Sequence, residues 1–537
     1  MGFVWYPLGP KGYPLGGFGF AKPMPGSLGL GNGQFSRAGH RPPFIQPIHC
    51  SPLYPNGTSI TGDPTAAANG CKIGKYPPYV VNATEISHVQ AALEFAKAKN
   101  LRLNIKNTGH GADRSTAYGS LSIWTHHMKH IQFHHDFHSQ SCSGRSSQHQ
   151  HHLAATLGAG VQVGELFRAM AKHNAIAVGG CNDDVGVVGW ATGGGHGLAS
   201  AVYGMGADNI LAATIVTAAG EIVTADACQH EDLFWAIRGG GGGTFGVIVS
   251  LTVKAFPMPS VGRALMATSP KGNASVHDWW RFVAELHVQF AQLQNAGISG
   301  YYTLYTNPRL FQVSLFEYNG TRESLVRALG PLASFTHRWQ AFVTVELITD
   351  YFPAWYDMVR ALPVNEYVGT RQYRNISRLI PRAALDDLDL FAAVLEEIST
   401  PTPHLGVSSP IILGTMSASK QPVDNALNPA WRDSIVHLIV SRSWDDSLPR
   451  DIAEQVTRNM TFVTGDALRR LAPASGAYFN EADPDEPQWQ SSFFGSNYAR
   501  LLQTKQDYDP EGVFWCHQCV GSEIWAELQN GSLCRSF

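Results

Sequence analysis

The sequence predicts an α+β fold in two lobes, and three of its features do so. A strand, a helix and a second strand follow one another over residues 79–105, the pattern of a β-α-β unit. Glycine then gathers in clusters from about residue 107 to about residue 247, too dense for a continuous helix and poor for ordinary strands. From about Ser260 to Gly476 glycine thins, aromatic residues rise, and alternating segments pair as an antiparallel sheet.

Composition narrows the partners. The chain has 537 residues, enough to bury a large core. Charged residues make up 15% and the formal net charge is −3, so there is no strongly basic face for a phosphate backbone, and nucleic acid is not expected as a partner. No window reaches the ~18 to 20 uncharged apolar residues of a membrane-spanning helix, and a soluble protein is expected. The eight cysteines (Cys50, Cys71, Cys142, Cys181, Cys228, Cys516, Cys519 and Cys534) are too few for a disulfide scaffold, although some could pair. Seven Asn-x-Ser/Thr sequons, beginning at Asn56, Asn82, Asn273, Asn319, Asn375, Asn459 and Asn530, favour a secretory route. Met1 to Gly33 is Gly/Pro-rich with a repeated Tyr-Pro-Leu-Gly and lacks the pattern of a signal peptide, so residues 1–40 read as a disordered leader or a misassigned start, and localisation stays open.

Tyr79-Val80-Val81 reads as the first strand. Thr84 is placed to cap a helix in which Ile86, Val89, Leu93 and Ala96 recur at helical spacing up to a Lys97/Lys99 end. Leu101 to Ile105 is the second strand, and the loop Asn107-Thr108-Gly109-His110-Gly111 leaves its carboxyl end, where parallel sheets commonly bind ligands. His110 is the one strong nucleophile in that loop. A strand follows at Leu121 to Trp124. The histidine-rich stretch His126 to His152 has irregular spacing and almost no carboxylates, so a surface insertion is expected there and a metal site is not. Leu153 to Gly160 reads as strand and Glu165 to His173 as helix. Gly158, Gly160 and Gly164 lie between them, with three residues before the third glycine where a nicotinamide fingerprint has two.

Val178 to Asp208 holds ten glycines. A backbone so bare can approach a bulky anionic ligand and offer it N–H groups. Strands resume at Ile210 to Thr217 and Ile222 to Thr224, a helix at Asp232 to Arg238 runs into Gly239 to Gly243, and Thr244 to Lys254 alternates again, closing a first domain near Pro257. In the second lobe Ser275 to Leu293 is helical, Gly300 to Tyr305 and Phe311 to Tyr318 are paired strands, and Ile435 to Val440 is another. Helices at Glu323 to Ala333 and Ile452 to Ala467 are expected to cover one sheet face. Tyr301, Tyr302, Tyr305, Phe311 and Phe316 point to a largely apolar ligand, although the period of two would send half of them into the core. Near the end, Tyr498 to Lys505 reads as a helix stopped by Asp509-Pro510. Cys516-x-x-Cys519 has no second pair at zinc spacing and no surrounding β-α-β unit, which argues against a metal site and against a redox dithiol.

In combination the motifs are specific: Thr108-Gly109-His110, Ser120 to His127 (SLSIWTHH), Gly158 to Leu166 (GAGVQVGEL), Val185 to Gly197 (VGVVGWATGGGHG), Asp232 to Val247 (DLFWAIRGGGGGTFGV), Phe494 to Tyr498 (FGSNY) and Asp509 to Cys516 (DPEGVFWC). From about Cys50 to Trp525 the chain resembles the vanillyl-alcohol-oxidase superfamily of flavoproteins with a PCMH-type FAD-binding domain. Within it the likeness is to the berberine-bridge-enzyme-like group and its fungal isoamyl-alcohol-oxidase-like members. The resemblance implies a two-lobed FAD-binding domain over 41–257 (core 75–257), a substrate domain over 258–475, and a C-terminal segment, 476–537, that returns to the first domain. It implies that FAD is held by Asn107, Thr108, Gly109 and Gly111, by Val185, Gly186, Gly189, Thr192, Gly193, Gly195 and His196, and by Gly243, Gly246 and Val247, with support from Asn497.

The resemblance places a covalent histidyl link to the flavin 8α-carbon at His110. Many members add a cysteinyl link to flavin carbon 6 from a cysteine three residues before the Val-Gly of the second loop. Here that position is Asn182, with Cys181 one place upstream, from which a one-residue bulge could restore the second link to the flavin. The acidic-aromatic pair usual after the histidine is Gly111-Ala112 in this chain. The implied reaction is oxidation of a C–H bond beside oxygen, nitrogen or an activated carbon, with hydride passing to flavin N5, a base taking the partner proton, and O2 reoxidising the flavin to give H2O2. Candidates for the base are His437, Tyr478, Glu481 and Glu523. The expected partners are a small-molecule substrate and O2, and a monomer is expected. Two other readings compete: a flavin-scaffolded, redox-neutral isomerase or cyclase with Glu481 or Glu523 as acid, and a binding protein that has lost FAD.

Overall fold

The computed structural model describes residue 65 and residues 76–142, 152–362, 372–445, 447–528 and 532–536. The β-α-β unit is present. Tyr79–Asn82 and Leu103–Lys106 both pair in parallel with Leu121–Trp124, which lies between them. The helix Ile86–Ala98 turns Val89, Ala92, Leu93 and Ala96 inward. Its N-cap is Glu85, one residue beyond Thr84, whose own backbone N–H is directed at His88 Nδ1 (3.3 Å). The second strand begins at Leu103, later than its apolar pattern indicates, because the Leu101 N–H still bonds to Ala96 O at the helix end (2.8 Å).

The rest of the first lobe is an antiparallel sheet in the order Ile131–Phe137, His152–Gly158, Val247–Pro257, Ile210–Val216, Ile222–Asp226, with Ala175–Ala177 pairing the far end of Val247–Pro257. Part of the histidine-rich stretch is therefore not an insertion. Ile131 pairs with Leu157 and Phe133 with Ala155, so the two apolar side chains seat a strand that its histidines disguise. The remainder of that stretch, 143–151, lies outside the described residues. Just before it, a Cys142–Cys228 disulfide fastens the chain to the hairpin end at Asp226. The last strand of the lobe begins at Val247, not Thr244, because Gly246 (φ +156°), directly before it, holds a positive φ that a strand does not.

The second lobe is a seven-stranded antiparallel sheet in the order Val343–Phe352, Val261–Pro270, Arg309–Tyr318, Ile298–Thr306, Ile411–Thr415, Ser434–Trp444, Gln372–Pro381. Alternation divides its aromatics as the period of two requires. Tyr302 and Phe311 join the core with helices Val276–Asn295 and Leu388–Ile398, while Tyr301 and Phe316 pack with residues of the first lobe. Two expected helices are broken. Gly330-Pro331 divides one into Arg322–Ala328 and Gly330–Arg338. A π-turn at Met460–Thr464 separates Arg450–Asn459 from Gly465–Leu471. Among the described residues no helix is long and apolar enough to cross a membrane.

The C-terminal segment returns to the first lobe. Its helix Tyr498–Tyr508 ends at Asp509, as its sequence indicates, and carries a fully buried lysine. Lys505 Nζ donates to Thr244 O (2.6 Å), Asp509 (2.6 Å) and Phe514 O (2.8 Å), pinning the tail to the end of the Gly239–Gly243 run. Cys516 and Cys519 are joined in a disulfide.

Candidate functional site: an FAD cradle and a buried polar group

The three glycine segments form a closed ring. Asn107, at the start of the first, donates through Nδ2 to Ala159 O (3.0 Å), faces His126 Nδ1 through Oδ1 (3.2 Å), and accepts the Trp124 indole N–H at its carbonyl (2.8 Å). A methyl group at Gly186, in the second segment, would fall 2.4 Å from that Asn107 amide. The second and third segments meet at Thr192, whose carbonyl accepts the N–H groups of Gly239 (3.1 Å) and Gly241 (3.0 Å), and at Gly189, whose Cα would lie 3.2 Å from a methyl group on Gly242. The ring closes where Gly243 faces Ile105, on the strand leading into the first segment.

The ring is open at two of its glycines. Gly189 is exposed although Val187, Trp190, Ala191 and Thr192 of the same short helix are buried, and a methyl group there or at Gly111 would meet nothing within 4 Å. Lys106 adds charge. Its side chain runs beneath Gly109, burial lowers its pKa to about 8, and among the described residues no carboxylate pairs with it. Bare backbone, open space at Gly111 and Gly189, and a half-buried cation that no carboxylate among the described residues pairs with suit a dinucleotide whose pyrophosphate is anionic. The same elements bring His110 to the mouth of the ring, half-buried.

The flanking residues have supporting places. Val185 is buried and its carbonyl accepts the Val163 N–H (2.9 Å). Gly246 packs against Ile215, and Val247 lies in the core behind the ring. Asn497 Nδ2 donates to Leu427 O (3.0 Å), and Leu427 in turn crosses close to Gly239.

Beside the ring lies a buried polar group drawn from three parts of the chain. His196 Nε2 meets both Glu481 oxygens (3.1 and 3.2 Å), and its Nδ1 meets the Tyr301 hydroxyl (3.1 Å). His437 Nδ1 stands 3.7 Å from Glu481. The rings of Tyr478 and Trp431 close over both histidines. Burial by itself would raise the Glu481 carboxyl, but the adjoining His196, by charge and by hydrogen bond, holds it below the usual carboxylate range. Burial likewise lowers His437, to about 3, and keeps it neutral. Tyr478 is raised by burial and holds its proton, and its oxygen accepts from Asn480 Nδ2 (2.7 Å). Asn480 reaches on to the carbonyl of Gly189 (3.3 Å), joining this group to the ring.

A family model described as FAD binding domain matches residues 77–226, and one described as Berberine and berberine like matches residues 477–521. The FAD-linked oxidoreductase ZEB1 of Gibberella zeae is 34% identical over 499 residues, which cover 92% of this chain and 83% of that protein. The chain belongs to the berberine-bridge-like, VAO-type FAD-linked oxidoreductases. Its cofactor is FAD and its fold is that of the PCMH-type flavoproteins. The VAO-type flavoprotein oxidase VAO615 of Thermothelomyces thermophilus is 34% identical over 494 residues, covering 88% of this chain and 81% of the relative. The crystal structure of the VAO-type flavoprotein MtVAO713 from Myceliophthora thermophila C1 superposes with a TM-score of 0.82 at 29% identity, over 92% of this chain and 88% of that one.

For an FAD-linked oxidoreductase the arrangement is informative about each expected residue. His437, Tyr478 and Glu481 are brought together, and His196, expected through its backbone, contributes its side chain to the same group. Glu523 is not part of it: it is exposed and accepts from the Tyr498 hydroxyl (2.5 Å), because the turn after Cys519 directs it outward. Cys181 is half-buried with its thiol turned toward Tyr301, and desolvation of that thiol pushes it up to about 12. Asn182, at the position expected of a linking cysteine, accepts the Asp184 N–H (2.9 Å) and caps the turn. Lys106, Asn480 and Lys505 are not apparent in the sequence as site residues. A lysine next to the glycine-histidine loop was the one available signal.

Proposed function

We propose that the protein is an FAD-dependent oxidase of a small, largely apolar alcohol or secondary-metabolite intermediate, with its flavin attached through His110. The observation that carries this reading is the glycine ring opening at Gly189 and at Gly111, the residue that follows His110. Held by the ring amides and His110, FAD would supply a hydride acceptor for the substrate and, on reoxidation by O2, a route to H2O2. Lys106 balances the charge of the cofactor, and the ring amides orient it. Tyr478, buried, protonated and held by Asn480, is the side chain that would fix the substrate oxygen. Tyr301 and Phe316, with Tyr305 on the same face as Tyr301, supply an apolar wall. Tyr302 and Phe311 lie on the other face and take no part.

Cys181 stays a thiol, since attack on the flavin needs a thiolate and burial favours the protonated form. A redox-neutral reaction would require a carboxylic acid. Glu481 is held ionised and Glu523 lies at the surface, so the oxidase reading is the better supported. The test is anaerobic addition of aliphatic and benzylic alcohols, followed by air. Bleaching near 450 nm, then recovery with one H2O2 per flavin, supports an oxidase; product formed with no bleaching counts against it.

A further inference from the structure

His196, Glu481 and His437 come from the first lobe, the C-terminal segment and the second lobe, and all three are buried. One ligand-type atom from each lies within 4.8 Å of the other two. We propose that this group binds one divalent transition-metal cation, Zn2+ foremost, through His196 Nε2, His437 Nδ1 and a Glu481 oxygen, as a structural tie between the three segments.

His437 carries the inference. It is fully buried, and among the described residues neither ring nitrogen has a hydrogen-bond partner. Buried imidazoles are otherwise nearly always satisfied, and leaving one without a partner is costly. Its Nδ1 stands 3.7 Å from Glu481, too far for a hydrogen bond. A tetrahedral centre with bonds of about 2.0–2.1 Å separates its ligand atoms by about 3.3 Å. The 3.1 Å and 3.7 Å spacings of the Glu481 oxygen from the two histidines bracket that edge.

The surroundings have the character of a metal site. His196 uses its second nitrogen on the Tyr301 hydroxyl, the kind of outer contact that fixes a ligating histidine. Two imidazoles and one carboxylate suit zinc and its neighbours and are too few in oxygen for calcium or magnesium. The Trp431 and Tyr478 rings exclude bulk water. The site adjoins the glycine ring through Asn480, and the proposal does not depend on the oxidase reading.

The test uses full-length holoenzyme, purified without a metal-affinity step and dialysed against metal-free buffer. Elemental analysis against flavin absorbance is expected to give close to one zinc per flavin. Dipicolinate treatment should lower the thermal midpoint, and added Zn2+ should restore it. The H437A variant, with an unchanged flavin spectrum and far-UV circular dichroism, should lack both the zinc and the Zn2+-dependent shift. Wild-type enzyme that carries no metal and whose midpoint does not respond to Zn2+ overturns the proposal, even if H437A does not fold.

Discussion

At the scale of single residues, Gly189 and Lys106 bear directly on cofactor binding. A side chain at Gly189 meets no protein atom within 4 Å and its backbone is helical, so Gly189→Leu should fold with little loss of stability while filling the space the flavin needs. The ratio of absorbance near 450 nm to that at 280 nm should fall at least several-fold, with the unfolding midpoint nearly unchanged. A full flavin load would place the cofactor elsewhere. Lys106 gives a pH signature. With its folded pKa lowered to about 8 from 10.5, the unfolded chain holds more protons than the folded one between those values, so Lys106 makes flavin-free protein more stable as pH rises through that window. Comparing H110A protein prepared without flavin with the same protein carrying K106M, by denaturant midpoint from pH 7 to 10, should show the rise in the first and a weaker one in the second. Equal slopes would mean that Lys106 is solvated. The glycines and His110 were legible because bare backbone and a nucleophile are local properties. Glu481 was legible as a candidate but its partners were not, since His196 and His437 reach it through folding rather than through spacing.

At the scale of elements, the tail helix Tyr498–Tyr508 shows how a distant segment completes the cofactor domain. Lys505 and Asp509 are one helical turn apart and both buried, and their contacts reach Thr244 O at the end of the third glycine segment. Replacing Lys505 by Met leaves Asp509 charged and buried, with the Val513 and Phe514 N–H groups as its remaining donors. The expected cost is about 3–5 kcal/mol, read as a shift in urea midpoint. A loss under about 1 kcal/mol would show that the tail docks by apolar contact alone. Element type was mostly readable from periodicity: Leu121–Trp124 and the hairpin of Ile298–Thr306 with Arg309–Tyr318 lie where alternation puts them. Misreadings arose where composition masked the pattern. Histidines hid the strand Ile131–Phe137, and Gly330-Pro331 divided a helix whose apolar spacing continued through it.

At the scale of the whole molecule, the two lobes and the tail converge on one junction. Arg432 of the second lobe grips Asp208 of the first with two hydrogen bonds (2.7 and 2.9 Å), Asn425 adds a third (2.7 Å), and the His196–Glu481 contact lies in the same interior. The glycine ring therefore has a rigid wall on the side where Tyr478 and Asn480 stand, and the cofactor is oriented by groups from all three segments. The central claim is that this ring seats FAD with His110 as its single covalent anchor. Peptide mass spectrometry of the native protein tests it most directly. A flavin adduct is expected on the peptide containing His110, with an unmodified, alkylatable thiol on the peptide containing Cys181. A flavin found on Cys181, or no adduct on either peptide, would contradict it.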